Sequence, residues 1–449
     1  MKIKAWLILA GISALAFFRG AIVASIVPPF QAPDEPAHFD YVQRIAEHRH
    51  LPELRPSPRY SKEDRALADA MVDPIAFQPD RPLPPLTAFI PPDPANATSR
   101  ATTGWSPAAA YPPLYYATGA AAYALSSPQA PLLHRLFAAR FASIFWGTLA
   151  TSFAFLLGLG WFRSERDALL LALLLVLQPM NSLLFGVVNP DSALIACTTG
   201  CFAAIAWCRF SESRGRALWL LCACALAGAL VKPTFSLMLP IICTCCLMAL
   251  GPRRRGAWLL TASAIVPAAI AAIAWSWHTR LAVKTMYDTV LPIPLGKYLA
   301  TWVFDGPRLY DLWMRDYWMA WGWLDTRLAS GYYRVLAAFL ALAAAGMVFG
   351  WRRLLREERW AMVLIVGSTL YALVALYSLE YHVITPRMQL LQGRYLLPLF
   401  PLHALLLVTG LRALSRRLGA AVDAPWVFAS TLAVINVATI ARLMTRYYS

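Results

Sequence analysis

The chain is 449 residues long, 59% hydrophobic and only 14% charged, with a mean hydropathy of +0.52; this excludes a soluble enzyme of that size and makes lipid the solvent for most of the chain. The formal charge of +16 does not gather on one basic face. Its arginines fall in short clusters between apolar runs, which is a topology signal and argues against nucleic acid as a partner.

In chain order, the first apolar run, 5–27, follows Lys2 and Lys4 and contains Arg19. It reads as an uncleaved anchor in preference to a signal peptide, making 1–27 a first transmembrane anchor. Residues 28–133 form a long extracytoplasmic loop, proline-rich at Pro82, Pro84, Pro85, Pro91, Pro92 and Pro94, in which 36–48 and 112–126 have the spacing of juxtamembrane helices. The triplet Asn96-Ala97-Thr98 matches a glycosylation sequon, a pattern too common to carry weight. Residues 134–277 hold transmembrane helices at 134–162, 168–188, 193–210, 217–231, 234–250 and 257–277. Within them Lys232-Pro233 splits 220–250 into two short halves that could form a re-entrant pair. An aromatic extracytoplasmic loop, 278–331, precedes the C-terminal transmembrane helices of 332–449, at 332–350, 360–379, 395–411 and 425–443. The eight cysteines all lie in or at the ends of these apolar segments, where they act as small hydrophobes. The expected fold is an all-α membrane protein, a bundle of about eleven transmembrane helices whose long first extracytoplasmic loop carries short surface helices.

Orientation follows from arginine counting. A cytoplasmic N-terminus puts Arg163/Arg166, Arg209/Arg214/Arg216, Arg253/Arg254/Arg255, Arg352/Arg353/Arg356/Arg359 and Arg412/Arg416/Arg417 inside. The outer face then receives 28–133, 189–192, the break at Lys232, the aromatic loop and 380–394.

Those outer segments hold the unusual chemistry. Asp34-Glu35, with His38 one turn on, sit where the first span leaves the membrane. Such residues can supply a general base or hold a divalent cation, or simply cap a helix N-terminus. Tyr111-Pro112-Pro113-Leu114-Tyr115-Tyr116 stiffens a helix entry and fixes aromatic rings at the membrane surface, as a pocket wall or as interfacial anchors. Asp191, in Asn189-Pro190-Asp191, again stands at the outer end of a span, where capping is a sufficient explanation. Lys232 between two apolar half-helices is costly unless it reaches water or an anion, which favours phosphate binding over snorkelling. His382, Arg387 and Arg394 occupy a short outer loop, against the positive-inside bias, and a guanidinium grips phosphate oxygens well.

In order and placement these motifs resemble the GT-C superfamily of integral-membrane glycosyltransferases, most closely a bacterial branch known as predicted membrane proteins. The matching residues are Asp34-Glu35, the Pro112 to Tyr116 run followed by Arg135 and Arg140, Asp191, Lys232-Pro233 and Gly393-Arg394-Tyr395. The resemblance implies a GT-C-like bundle in the bacterial cytoplasmic (inner) membrane, with its active site facing the periplasm or exterior. It implies inverting transfer of a sugar from a polyprenyl-phosphate donor to a glycan or lipid-linked acceptor. Asp34 or Glu35 would be the catalytic base, and Lys232, Arg387 and Arg394 would neutralise the departing phosphate. Asp191 would orient the acceptor, with His38, Tyr111, Tyr115 and His382 lining the substrate site. No cofactor is required by the motifs; a divalent cation (Mg or Mn) on Asp34, Glu35 and Asp191 stays open, because family members differ on this point.

Three rivals share the compartment: a transporter or flippase of lipid-linked sugars, an O-antigen polymerase or ligase, and a catalytically dead scaffold for envelope assembly. A transporter of this size is expected to show internal repeats, and none is visible. The polymerases and ligases carry their long loop late in the chain, whereas here it comes first.

Overall fold

The computed structural model describes residues 3–52, 60–85, 108–127, 129–210, 214–251, 255–287, 293–383, 390–419 and 422–448. Arg387, the prolines Pro91, Pro92 and Pro94, and the Asn96 triplet lie outside these residues. Every anticipated apolar segment is helical. The long helices are α1 (Ile3–Ile26), α5 (Leu132–Phe162), α6 (Glu165–Leu177), α7 (Pro179–Gly186), α8 (Asp191–Phe210), α9 (Arg214–Ala229), α10 (Leu239–Leu250), α11 (Arg255–Tyr287), α12 (Ser330–Gly350), α13 (Arg356–Val383), α14 (Phe400–Leu418) and α15 (Ala424–Tyr448). Between α1 and α5 the loop carries α2 (Glu35–Gln43), α3 (Lys62–Met71) and α4 (Leu114–Tyr123).

Among the described residues nine helices are long and apolar enough to span a membrane, or ten if the bent pair α6–α7 counts as one span. The difference from eleven has two causes. The apolar part of α9, Gly215–Ala229, is short for a span, and the segment expected at 168–188 is broken by a 68° bend. Pro179 lacks an N–H and cannot continue the ladder, which frees carbonyls inside an apolar bundle, where each must find another donor. The Asn181 side chain donates to Leu175 O at 3.1 Å, Arg19 donates to Val176 O, and Asn436 donates to Leu177 O at 2.5 Å. Arg19 also donates to Ser182 and Asn436. The arginine that interrupts the first apolar run is therefore a clamp on the bend. Arg19→Leu is expected to lower stability in detergent by about 3 kcal/mol, since several buried polar groups lose their partner at about 1–3 kcal/mol each. Thermal unfolding of the purified protein checks this.

The core is organised around α8, of whose most apolar window 94% is buried, against 28% for α1. Small residues permit the closest approaches: Gly346 on α12 meets the Gly410 backbone on α14, and Gly147 on α5 lies against Phe185 on α7. The aromatic loop is more than a surface segment. Trp318 and Trp321 are buried, Trp321 donates to Pro179 O at 3.0 Å, and Gln178 donates to Tyr317 O at 2.5 Å. Over 321–326 the loop closes on a Trp321–Thr326 bridge, with Gly322 at φ +64.

The segment after α1 is tied to α15. Arg446, near the end of α15, is buried and donates to the carbonyls of Arg81, Gln78 and Ile75. The Tyr447 hydroxyl lies 3.4 Å from Gln31 Oε1. Glu380, near the end of α13, accepts two bonds from Arg308, one from Tyr298 and one from the Leu391 amide. These contacts gather the described residues of 28–85, of the aromatic loop and of the segment before α14 on one face of the bundle.

Candidate active site

Four charged side chains from four separate segments meet on that face. Asp34 stands between α1 and α2, Asp191 opens α8, Lys232 precedes the 3₁₀ turn Pro233–Met238, and Arg394 lies in the 3₁₀ turn Gly393–Leu399 before α14. Lys232 Nζ is 2.5 Å from Asp191 Oδ1, Arg394 Nη2 is 2.7 Å from Asp34 Oδ2, and Arg394 Nε is 3.8 Å from Asp191 Oδ2. The side chains of Asp191, Lys232 and Arg394 are almost completely buried, yet that of Asp34 is 53% exposed. Asp34 is therefore the member of the cluster that reaches the molecular surface.

Local structure explains why these groups face one another. Asp34 occupies the N-cap position of α2 but makes no side-chain capping bond, and its backbone has φ +65. A non-glycine residue held there costs on the order of 1–3 kcal/mol, so capping does not account for it; the carboxylate is turned to Arg394 instead. At α8 the capping is done by Asn189, whose Oδ1 accepts the Asp191 N–H at 2.8 Å. That leaves the Asp191 carboxylate to Lys232. The chain at Lys232 is extended, because α9 ends and Pro233 starts a new turn, and this points the ammonium inward. Gly393 is required by close backbone approach: a Cβ there would collide with Leu312 O and the Tyr317 amide.

Aromatic rings surround the cluster. Lys232 Nζ lies 5.5 Å from the centre of the Tyr111 ring and 5.2 Å from that of Tyr395, within cation–π range. His38 stacks on Tyr111 at 5.6 Å, and its Nδ1 is 2.9 Å from the Tyr116 hydroxyl. Burial, helped by Lys232 and Arg394, pushes the His38 imidazolium pKa down to about 3 although Asp34 opposes it, so the ring is neutral at ordinary pH. For Asp34, burial favours the protonated form, but Arg394 and Lys232 outweigh it and the carboxyl sits below the usual aspartate value. Asp34 is thus ionised and able to accept a proton.

Several expected site residues lie elsewhere. Glu35 points away from the cluster: it is fully buried, and Arg140 pairs with both its oxygens at 2.8 and 2.9 Å. A carboxylate so enclosed cannot reach a substrate, and we correct its candidacy as base. Tyr115 is buried, its hydroxyl 2.7 Å from Ser143 Oγ, which approaches the Asn189 backbone. His382 is exposed and makes a ring contact with Tyr381 at the end of α13. Asp316, not anticipated, packs by its backbone against Gly393 and is 3.1 Å from Arg327. Burial, opposed by Arg327, raises its carboxyl to about 6. The signal that could have found it, an acidic residue in an aromatic loop, is too common to select one position.

The donor set does not fit a resident divalent cation. Asp34 and Asp191 each already face a cationic side chain, Glu35 is turned away, and among the described residues no group of three His, Cys, Asp or Glu is arranged to hold a metal. The arrangement suits an anion better. Arg394 Nε and Nη1 are buried donors without a hydrogen-bond acceptor, beside the half-exposed Asp34. Burying the three charges of Asp191, Lys232 and Arg394 costs several kcal/mol per ion before pairing returns any of it, so the cluster is poorly explained by stability and points to function.

The same desolvation argument gives a stability prediction. Lys232→Met leaves Asp191 buried with only the 3.8 Å approach of Arg394, and is expected to cost about 3–5 kcal/mol. Adding Asp191→Asn should restore most of that loss. Thermal unfolding of both variants, extracted in the same detergent, reads the difference.

Apolar cavities lie within the bundle. One of about 200 Å³ is lined by Trp313, Tyr317, Leu396, Phe400 and His403, with Leu396 two residues beyond Arg394. Another, of about 390 Å³, is lined by Leu157, Phe202, Met248 and Trp360. Phe202 is roughly 16 Å along α8 from Asp191, too far for this cavity to share the chemistry.

The family model described as "Predicted membrane protein (DUF2142)" matches residues 17–403. None of the curated proteins matches the chain. Among solved structures the chain is similar to ArnT from Cupriavidus metallidurans in the apo state, at 14% identity and TM-score 0.43, covering 90% of this chain and 59% of that one. ArnT bound to undecaprenyl phosphate gives 15% identity and TM-score 0.46, covering 95% and 62%. The Archaeoglobus fulgidus oligosaccharyltransferase, in a complex with Zn and sulfate, gives 12% and 0.47, covering 97% and 53%. The chain therefore spans between about half and three fifths of the length of these solved chains.

Proposed function

We propose that this chain, which belongs to the DUF2142 family of predicted membrane proteins, is an inverting glycosyltransferase that takes a sugar from a polyprenyl-phosphate donor on the outer face of the membrane. The observation that carries the reading is the meeting of Asp34, Asp191, Lys232 and Arg394 in one ion-pair cluster of which Asp34 is the exposed member.

An acceptor hydroxyl or amine attacks the anomeric carbon from the face opposite the phosphate, and Asp34 takes the proton the acceptor loses. The bond between the anomeric carbon and the phosphate oxygen breaks, and its electron pair stays on that oxygen. Arg394 and Lys232 neutralise the charge that grows there, which is where fixed donors lower a barrier most. Donor phosphate competes with Asp34 for Arg394, so binding the donor also loosens the base's ion pair. Asp191 holds Lys232 in place, and Tyr111 and Tyr395 offer faces to apolar groups. The aromatic-lined slot beside Leu396 suits an isoprenoid segment next to its phosphate. The motif order seen in the sequence supports the same class.

Mass spectrometry of native lipid copurified with the protein tests the donor class. A polyprenyl-phospho-sugar is the expected species. A flippase would also carry lipid-linked sugar, but its transport would survive Asp34→Asn, whereas sugar transfer would not.

A further inference from the structure

Glu35 and Arg140 form an arrangement that the transfer step does not use. Arg140, on α5, is fully buried and donates to both Glu35 oxygens and to three carbonyls: Ala24 and Val27 at 2.7 Å each, and Pro28 at 3.1 Å. Glu35 Oε1 accepts in addition the Val188 N–H at 3.0 Å. One ion pair thus ties the end of α1, the residue after Asp34, and the segment that enters the Asn189-Pro190-Asp191 turn.

Both carboxylates that face Arg394 are therefore chained to this pair. Asp34 is its immediate neighbour and sits at a positive φ with no capping bond from its own side chain. Asp191 follows Val188 by three residues, within a turn that Ser143 and Asn189 close. A buried ion pair is a weak source of stability compared with apolar residues of the same volume. As a rigid spacer it is well suited: its hydrogen bonds fix direction as well as distance.

We propose that Glu35 and Arg140 are positioning residues that set the separation of Asp34 and Asp191 about Arg394, which rests on the transfer reading given above.

Two variants test this. Glu35→Gln with Arg140→Gln removes both charges and avoids leaving one buried alone; Glu35→Asp keeps the pair but shortens one arm. Hydrogen exchange by mass spectrometry on the full chain in nanodiscs needs no substrate. Peptides covering 29–38 and 186–192 are expected to gain deuterium together in either variant, while 230–238 is unchanged. Faster exchange in only one of the two segments, or in neither, overturns the proposal.

Transfer from a panel of synthetic undecaprenyl-phosphate monosaccharides is the second readout. The expected result is a kcat lower by on the order of 100-fold, the effect of a misplaced reacting group. The donor KM should stay within about twofold, because Lys232 and Arg394 are carried by other segments. The acid limb of kcat/KM should move toward neutral pH by about one unit as Asp34 leaves its guanidinium partner. Wild-type kcat, or a loss of kcat with an unmoved acid limb, overturns the proposal. A wild-type protein that transfers none of the panel would instead count against the transfer reading, and the exchange result would still decide the coupling.

Discussion

Asp34→Asn is expected to reduce sugar transfer by about 10²–10⁴-fold, the usual worth of a general base, while leaving the protein folded and inserted. Asparagine keeps the volume and one oxygen acceptor for Arg394, so the ion pair becomes a hydrogen bond instead of a void. With half its surface exposed, the side chain contributes little to stability, and the thermal midpoint should barely move. The donor KM should fall modestly, since the phosphate no longer competes with a carboxylate for Arg394. Steady-state transfer with extraction yield measured in parallel checks the prediction, and retention of more than a tenth of wild-type turnover would remove Asp34 as the base.

The second large effect is expected at Arg394. Replacing it with glutamine removes a buried cation that has two donors free and one committed to Asp34. Loss of a preorganised charge at the developing phosphate is worth about 10²–10³ in kcat, and donor affinity should fall as well because the same charge meets the phosphate in the ground state. Asp191 keeps Lys232 at 2.5 Å, so the fold survives better than in Lys232→Met. The pH profile adds a signature. Burial alone would push the Asp34 carboxyl up, and Arg394 is the chief influence that holds it below the ordinary aspartate value. Without Arg394 the base should require a higher pH to ionise, moving the acid limb of kcat/KM upward. An unmoved limb would mean that Arg394 does not touch the base in the working enzyme.

Much of the bundle was legible because lipid leaves only one solution for a long apolar run. The helices could be placed from hydropathy alone, their starts within about four residues, although ends such as 411 against Leu418 and 277 against Tyr287 fell short. What hydropathy cannot show is an interruption that other helices repair. The bend at Pro179 depends on Arg19 and Asn436, far away in sequence, and neither announces its partner. The helix Lys62–Met71 had a local signal, Ser61 three residues ahead of Asp64, and the structure shows that hydroxyl accepting the Asp64 N–H at 3.1 Å. In a proline-rich loop that short pattern was passed over.

At the site, unusual residues on one face could be listed but not sorted. Asp34 and Glu35 are adjacent and chemically alike, and periodicity says nothing about which will turn toward Arg394 and which toward Arg140. The distinction arises from the positive φ at Asp34, a tertiary outcome. Lys232 was the stronger inference, because an ammonium between apolar half-helices demands a partner wherever it lands. The identity of that partner, Asp191, required coordinates.

Arg446 has a consequence for biogenesis. It lies 365 residues after the Arg81 carbonyl to which it donates, and at ribosomal speeds of about 5–20 residues per second that interval is roughly twenty to seventy seconds. Throughout it the turn at 75–81 lacks the three bonds that Arg446 donates, so a nascent chain stalled before α15 would hold that turn unlatched and open to proteolysis.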